Sequence, residues 1–525
     1  MTGTYAREWT VSPSSGRGGW GPSIAIGLLG AVLLYLFARG IIAHRPMYDE
    51  LLHVLSARGV MQTGEPVMAD GLYGRAELFT RLVAASMTLF GDSLVAARLP
   101  ALLSGGLLVL LVSIWTTRRV GWVAGLCVAL LLASMPVSVS VAVFARFYTL
   151  HALFVALGMI LAYEATIAGR TMRNRAVLAA GGMASFLAAL HLQETTAIAA
   201  MAGVAALSGL FVVERWEDVR RTISKRPLMW LLAAATLVAT GLFMAWRLGL
   251  LERFQSTALW AAGHAARGSY YLKWLAEVWP LLWPLWPAAL VLVLLRRSRE
   301  GLFCALFFLV ALVAHSFAGM KASRYLYYAL PFACVVLGIG ADSIVAWAKS
   351  RAAEGQGDRV ATAALLAALV IGVGLSHEAQ RSVRFLLGKP SAYADFPYVD
   401  EPDWLAVMPV LEPLARSADR VLVSAGVTGL YFLGRYDYEI NASVVQETET
   451  GQEFGRDPRT GRQAISSADS VARVVSEPGR SLVIIEEQKL GRNGGVPPET
   501  VALLQQQCGA VDVPAAAGLS VWLCE

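Results

Sequence analysis

Charged residues are scarce in this 525-residue chain: Asp, Glu, Lys and Arg make up 16% of it, while 56% of the residues are hydrophobic. The mean hydropathy is +0.55. So low a charge content excludes an ordinary soluble globular protein. The composition therefore predicts an α-helical membrane protein that crosses the bilayer many times.

Cysteine and histidine are also rare, with five and seven residues, and neither shows the spacing of a metal site. Cys127, Cys304 and Cys334 fall inside apolar runs, where cysteine acts as a small hydrophobic residue. Cys508 and Cys524 lie near the C-terminus. An oxidising exterior would let these two pair if their geometry is right.

Apolar runs of bilayer-crossing length recur along the first 376 residues. They predict about eleven transmembrane helices. The runs lie at 22–43, 97–116, 120–142, 150–168, 176–190, 195–213, 228–250, 279–295, 301–318, 326–347 and 360–376.

Clusters of Lys and Arg mark every second junction between these runs. Since short cytoplasmic loops retain basic residues, this pattern predicts a cytoplasmic N-terminus and an outer C-terminus. The first span lacks a small-residue cleavage signal, so we expect a retained helix and a multi-pass protein of a bacterial inner (plasma) membrane. The basic residues are spread through short loops, and nucleic-acid binding is not expected.

The long apolar runs stop near residue 377, and prolines in the following stretch indicate a linker. Beyond it, RVLVSAGVTGLYFLG has the pattern of a strand, a turn and a helix, while SLVIIEE and LSVWLCE have the pattern of buried strands. The sequence thus predicts a transmembrane domain over 1–376 and an outer α/β domain over 377–525.

The first outer loop, 45–96, is the longest, and the acidic pair Asp49-Glu50 directly follows the first span. Asp49 is expected to cap a short helix that ends at Gly59. Apolar residues between Leu78 and Phe90 recur at helical spacing and predict a second helix. Both helices are expected to lie in the membrane interface.

The other outer segments bring further polar and aromatic side chains to the same membrane face. Cations at an interface suit an anionic lipid headgroup, and a carboxylate suits deprotonation of an incoming hydroxyl. A departing polyprenyl phosphate would be stabilised by Arg or Lys. The residues that we expect on this face include Arg146, Tyr148, His151, His191, Glu194, Lys321, Arg324 and Tyr325.

Several segments of the chain resemble a known family. They are YDELLHVLSARGVMQTGEP, GLYGRAELFTRLVAASMTLFGDSLVAARLPALLSG, FARFYTLHALFVAL and RYLYYALPF. These segments are similar to the polyprenyl-phosphate-sugar-dependent glycosyltransferases of the GT-C superfamily, in the branch that contains bacterial protein mannosyltransferase-like enzymes and the lipid A aminoarabinose transferase. The resemblance spans most of the membrane domain and implies the GT-C fold.

The resemblance also implies roles for single residues. Asp49 matches the aspartate that acts as the base or orients the acceptor, and Glu50 matches its partner. Arg75 matches a basic residue that contacts the donor phosphate, Arg98 matches the arginine that opens the second span, and Arg146 belongs to an Arg-x-Tyr pattern. The donor-phosphate contacts implied in this way are Arg75, Arg98, Arg146, Lys321 and Arg324.

Substrate contacts are implied for Tyr148, His151, His191, Glu194 and Tyr325. Thr149 and His151 stand where some members carry a second aspartate, so a second catalytic carboxylate is not matched.

Simpler roles stay open for the same residues. Asp49 could be a plain helix cap with Glu50 solvated, and Arg75 and Arg98 could extend to lipid headgroups. His191 and Glu194 could satisfy each other. No cofactor is required by this pattern, although Asp49 and Glu50 could hold a divalent cation with phosphate oxygens.

The sequence favours a membrane glycosyltransferase that moves one hexose or pentose from an undecaprenyl- or decaprenyl-type phosphate to a hydroxyl of a protein, lipid or glycan. A ligase or flippase for lipid-linked glycans stays open, because it would share the outward polar cluster. A transporter also stays open, although it would place charges near the bilayer midplane and show internal repeats. The pattern does not specify the sugar or the acceptor.

Overall fold

The structure is a computed structural model, and it describes residues 36–167, 170–225, 268–280, 282–351, 376–389, 402–448, 452–491 and 495–525, with residues 236, 249, 252 and 372–374. The chain forms two compact units. The helical unit comprises Met1–Phe37, Leu103–Val141 and Tyr148–Leu386, and the mixed unit comprises Ala38–Leu102, Ala142–Phe147 and Leu387–Glu525.

The helical unit is built from apolar helices. The long helix Leu94–Arg119 begins in the mixed unit and continues into this one. It is followed by Trp122–Ser134, Pro136–Val143, Tyr148–Ala165, Met172–Leu192, Thr196–Glu214, Trp216–Lys225, Tyr270–Val278, Leu282–Leu295, Arg299–Phe317, Ser323–Leu326, Leu330–Arg351 and His377–Leu386, with a 3₁₀ turn at Tyr327–Ala329.

Within the described residues, six helices are long and apolar enough to cross a membrane, and two bent helix pairs raise the number to eight. These helices correspond to the predicted runs between 97 and 213 and between 279 and 347. The predicted spans 228–250 and 360–376, with most of 22–43, lie outside the described residues. The multi-spanning α-helical architecture is therefore confirmed, while the number eleven stays a prediction.

Small residues let neighbouring helices of this unit approach closely. A Cβ atom on Gly158 would lie 2.9 Å from the Phe186 ring and 3.2 Å from the Gly182 carbonyl oxygen. Such close contact is typical of helices that associate in a membrane. Helices Tyr148–Ala165 and Met172–Leu192 therefore pack as a tight hairpin.

Acidic residues pair with several arginines on the side that the basic clusters predict to be cytoplasmic. Glu164 contacts both Arg119 and Arg170. In addition, Arg296 Nη1 lies 2.9 Å from an Asp342 oxygen. These pairs lower the cost of placing charge at the ends of apolar helices.

The first outer loop folds into two helices in the mixed unit. They are Tyr48–Thr63 and Glu77–Phe90, and a short antiparallel hairpin of β1 (Val67–Met68) and β2 (Gly71–Leu72) joins them. Both predicted helices are present. The first one passes Gly59 and ends at Thr63, because the left-handed backbone needed for termination occurs at Gly64.

The C-terminal region of the mixed unit is a seven-stranded α/β domain. Its strand order is β5-β6-β4-β3-β7-β9-β8, and β6, β4, β3 and β7 run parallel. The strands are β3 (Arg420–Val423), β4 (Tyr438–Ile440), β5 (Phe454–Arg456), β6 (Gln463–Ile465), β7 (Ser481–Glu486), β8 (Gly509–Ala510) and β9 (Leu519–Cys524).

Helices cover both faces of this sheet. They are Trp404–Ser417, Gly426–Leu433, Ala442–Thr448, Ala468–Val475 and Pro498–Gln507. On β7, Leu482 and Ile484 join one buried apolar cluster, whereas Val483 and Ile485 join the other. The predicted α/β domain and its three buried strands are confirmed. Cys508 and Cys524, whose pairing the sequence left open, form a disulfide.

Candidate functional site

The acidic pair lies in the first turn of helix Tyr48–Thr63. Met47 is the N-cap residue, and its amide donates to the Glu50 carboxylate at 3.0 Å. Glu50 thus supplies the acidic half of a capping box. The sequence predicted Asp49 as the N-cap residue, but the structure places it at the second position of the helix. Negative charge in a first turn is favoured by the helix dipole.

Glu50 and Arg98 form a buried ion pair, with side chains 0% and 1% exposed. Arg98 Nε donates to Glu50 Oε2 at 3.0 Å, and its Nη2 donates to Glu50 Oε1 at 2.5 Å. The remaining N–H groups of Arg98 donate to the carbonyls of Ile41, His44 and Arg45. All five guanidinium N–H groups are therefore engaged by the protein.

The Glu50 carboxylate also holds the segment that carries Arg146. The amide of Ala145 donates to Glu50 Oε2 at 3.0 Å. Together with Met47 and Arg98, it gives Glu50 four accepted hydrogen bonds. A buried carboxylate satisfied in this way is a structural anchor for three parts of the chain.

Arg146 contacts the carboxylate of Asp49. The Arg146 side chain is buried, whereas that of Asp49 is 34% exposed. A cation in an apolar setting needs such a partner. Asp49 is therefore held by Arg146 while part of its side chain stays exposed to solvent.

Arg75 adds a second cation close to the same aromatic ring. The guanidinium carbon of Arg75 lies 5.6 Å from the centre of the Phe147 ring, and that of Arg146 lies 5.9 Å from it. Arg75 is exposed. Phe147 thus holds two arginines within cation–π distance, and Arg75 can reach an anionic group outside the protein.

His53 packs against the Phe147 ring. It was not predicted from the sequence as a site residue. Its Nδ1 lies 2.9 Å from Thr80 Oγ1, and its ring packs against Tyr73, Phe79 and Phe147. Burial, and secondarily the charge of Arg75, lower the pKa of His53 to about 3. The imidazole is therefore neutral. A histidine inside the apolar string LLHVL is the sequence signal that could have identified it.

Three of the predicted substrate and phosphate residues meet within the helical unit. Arg324 Nε donates to the Tyr148 hydroxyl at 3.0 Å, and its guanidinium lies 5.5 Å from the centre of the Tyr325 ring. Lys321 is buried and donates to the Ala318 carbonyl at 2.5 Å. Burial lowers the pKa of Lys321.

The predicted histidines of the helical unit have different surroundings. His151 is buried, with Nε2 2.9 Å from Thr196 Oγ1 and its ring against Tyr328. His191 is exposed in the last turn of helix Met172–Leu192, and Glu194 is exposed just beyond it. The structure thus separates a packed histidine from an exposed His–Glu segment.

Among the described residues, no group of three His, Cys, Asp or Glu side chains is arranged to hold a metal ion. Asp49 and Glu50 each face an arginine.

Comparison with solved structures shows the fold. The chain is similar to ArnT from Cupriavidus metallidurans in the apo state, with a TM-score of 0.63 and 14% identity over 96% of this chain and 98% of that one. It is also similar to the same protein bound to undecaprenyl phosphate, with a TM-score of 0.62 and 14% identity over 95% and 98%.

An archaeal oligosaccharyltransferase shares the architecture. AglB from Archaeoglobus fulgidus, in complex with an inhibitory peptide and a dolichol-phosphate, has a TM-score of 0.53 and 13% identity over 87% of this chain and 69% of that chain. No protein-family model and no curated protein matches the sequence. The chain shares the fold of these structures, which is the fold that the resemblance implied, and it carries the C-terminal α/β domain that the strand pattern predicted.

Proposed function

We propose that this chain with the GT-C fold is a membrane glycosyltransferase, which moves one sugar from a polyprenyl phosphate to a hydroxyl acceptor at the outer membrane face. The observation that carries the proposal is the accessible Asp49 carboxylate, which buried Arg146 orients. Two similar structures hold undecaprenyl phosphate and dolichol-phosphate, which supports a lipid phosphate as the donor.

In the proposed reaction, Asp49 accepts the proton of the acceptor hydroxyl as its oxygen attacks the anomeric carbon. The bond between that carbon and the phosphate oxygen breaks, and polyprenyl phosphate leaves with the electron pair. Direct attack inverts the anomeric configuration. A positioned general base contributes about 10² to 10⁴-fold to such a step.

We assign the phosphate contact to Arg75, because it is exposed and lies beside the aromatic ring that also contacts Arg146. Charge-assisted bonds from arginine would stabilise the departing phosphate. Lys321 and Arg324 remain proposed donor contacts, and Tyr148, His151, His191, Glu194 and Tyr325 remain proposed substrate contacts. A divalent ion held by Asp49 and Glu50 stays an open option, which metal titration would test.

We propose a different role for Glu50 and Arg98 from the catalytic and phosphate roles predicted from the sequence. Glu50 is fully buried, and all five N–H groups of Arg98 are engaged within the protein. Neither group is available to a substrate in this arrangement. We infer that the pair is a positioning element, which holds Asp49 and Arg146 against each other.

The experiment compares cells that produce the wild-type chain with cells that produce Asp49→Asn, using mass spectrometry of their lipids, glycans and proteins. A product that carries one added sugar should be present with the wild type and absent with Asp49→Asn. Asp92→Asn is the matched control, because Asp92 is an exposed aspartate of the same loop, paired with Arg58. An unchanged product in Asp49→Asn cells would contradict the proposal.

The similarity to AglB favours one second candidate, the transfer of a whole oligosaccharide. The same spectra distinguish the two, since a ligase would add the mass of a complete glycan rather than that of one sugar.

A further inference from the structure

The β1–β2 hairpin, which follows helix Tyr48–Thr63, packs against the α/β domain within the mixed unit. The amide of Asp70 donates to the Thr460 carbonyl at 2.9 Å, and Asp70 also pairs with Arg462 at 3.2 Å. A Cβ on Gly71 would lie 2.4 Å from the Arg459 carbonyl oxygen. A Cβ on Gly461, whose φ is +71°, would lie 2.6 Å from the Asp70 carbonyl carbon. The two backbones therefore approach at a distance that only glycine allows.

The loop between β5 and β6 presents Arg459 in a fixed orientation. The Asp457 carboxylate is fully buried and accepts from Arg459 Nε at 2.8 Å and from Arg459 Nη2 at 3.1 Å. The amide of Arg459 donates to the same carboxylate at 2.9 Å. A bidentate contact of this kind fixes the plane of the guanidinium group.

Two cations of the α/β domain lie close to the Tyr48 ring. The Arg459 guanidinium carbon is 5.9 Å from the centre of the Tyr48 ring, and Lys489 Nζ is 5.1 Å from it. Both are within the range of a cation–π interaction. Tyr48 is the first residue of the helix and directly precedes Asp49.

The rest of the helix also rests on the α/β domain. Leu51, Leu52 and Leu55 form one apolar cluster with Val427, and Leu430 and Tyr431 pack against it. In addition, the Arg58 guanidinium lies 5.0 Å from the centre of the Tyr431 ring. The helix that carries the proposed base is thus held by the α/β domain at its first turn and along one side.

We propose that Tyr48, Arg459 and Lys489 are positioning residues, by which the α/β domain sets the orientation of Asp49 for sugar transfer. The inference rests on the proposed function of Asp49. The contacts on which this role rests are those of the Tyr48 ring with the two cations. In this proposal, the α/β domain contributes to catalysis by fixing the orientation of the Asp49 carboxylate.

The test uses the purified full chain with four substitutions. Tyr48→Leu removes the cation–π contacts with both cations, Arg459→Met removes one of them, and Tyr48→Phe keeps both. Arg473→Met is the matched control, because Arg473 makes a similar contact with Phe454 in the same domain, at 5.2 Å. Turnover of the sugar donor, binding of undecaprenyl phosphate and the unfolding midpoint are measured for each variant.

We expect Tyr48→Leu and Arg459→Met to lower turnover by about tenfold or more, because small displacements of a reacting group cost that much. Binding of undecaprenyl phosphate should not change, since a different residue holds the phosphate. Tyr48→Phe and Arg473→Met should keep wild-type turnover. Amide hydrogen exchange in the first helical turn should quicken in Tyr48→Leu and Arg459→Met only.

Full turnover in both Tyr48→Leu and Arg459→Met would overturn the inference, as would an equal loss in Tyr48→Phe. If Tyr48→Leu or Arg459→Met does not fold, Lys489→Met decides the matter, because it removes one cation–π contact with the Tyr48 ring and leaves the Arg459–Asp457 pair in place. Full turnover in Lys489→Met would then overturn the inference. Asp49→Asn is measured alongside. Wild-type turnover in Asp49→Asn would refute the proposed function itself, whereas an inactive Asp49→Asn beside active Arg459→Met would refute the positioning role alone.

Discussion

Glu50 and Arg98 pair out of contact with solvent, at 2.5 Å between Oε1 and Nη2, although 48 residues separate them in the sequence. The pair joins the start of the first outer helix to the start of the long helix Leu94–Arg119. Through the amide of Ala145 it also fixes the segment that carries Arg146. The orientation of Asp49 therefore depends on the buried Glu50–Arg98 pair, although neither of these two residues is proposed to contact the substrate.

Replacing Glu50 with Gln should destabilise the chain strongly. The substitution leaves the Arg98 guanidinium buried without a counter-charge, and breaking one side of a buried ion pair costs about 3–5 kcal/mol. The unfolding midpoint in detergent measures the effect. Glu412→Gln is the control, because Glu412 pairs with Arg416 on an exposed helix surface and should change stability by about 0.5 kcal/mol or less. Equal effects of the two substitutions would contradict the structural role of Glu50.

Replacing Arg75 with Ala should weaken binding of the lipid phosphate. A hydrogen bond to a charged group contributes about 1.5–3 kcal/mol, which corresponds to roughly 10- to 150-fold in affinity. Titration with undecaprenyl phosphate provides the measurement. Arg81→Ala is the control, since Arg81 is a similarly exposed arginine that pairs with Glu77. Unchanged affinity in Arg75→Ala would remove Arg75 from the donor site.

His53 should make the chain less stable in mild acid. Its pKa of about 3 in the folded chain lies below the ordinary value of 6.5, so the unfolded chain binds the proton first as the pH falls. This contribution to stability is complete above pH 6.5 and is lost progressively between pH 6.5 and about 3. At pH 5 the loss is on the order of 2 kcal/mol.

His53→Phe should remove that part of the pH dependence while keeping an aromatic ring against Phe79 and Phe147. The unfolding midpoints of His53→Phe and the wild type, measured from pH 7 to pH 5, give the comparison. Parallel curves for the two proteins would show that His53 does not titrate in this range.

Much of the fold could be predicted because its signals are local. Hydropathy located the apolar helices, and short β-branched runs located three adjacent strands of the α/β domain, β3, β7 and β9. The β1–β2 hairpin was missed, since two-residue strands carry almost no pattern. The hairpin packs against the loop at 457–462, and this contact depends on Gly71 and Gly461, which lie 390 residues apart in the sequence.

The candidate residues of the site could be named from the sequence, but not their pairings. Asp49, Arg75 and Arg146 were proposed from their type and position, and their roles stay a prediction. However, the spacing of these residues in the sequence does not indicate that Arg98 forms an ion pair with Glu50 and Arg146 with Asp49. Burial decides between these choices, because an arginine that loses all contact with water must have each N–H group satisfied. The same limit applies to Tyr48, whose two cations come from the distant end of the chain.

The central claim is that a polyprenyl phosphate binds where Asp49 can reach the attached sugar. Cryo-electron microscopy of the purified chain with undecaprenyl phosphate tests this claim most directly. The account predicts phosphate density beside Arg75, with the Asp49 carboxylate facing the same space. Lipid density confined to the middle of the membrane helices, with none near Arg75 and Asp49, would contradict the claim and favour a transporter.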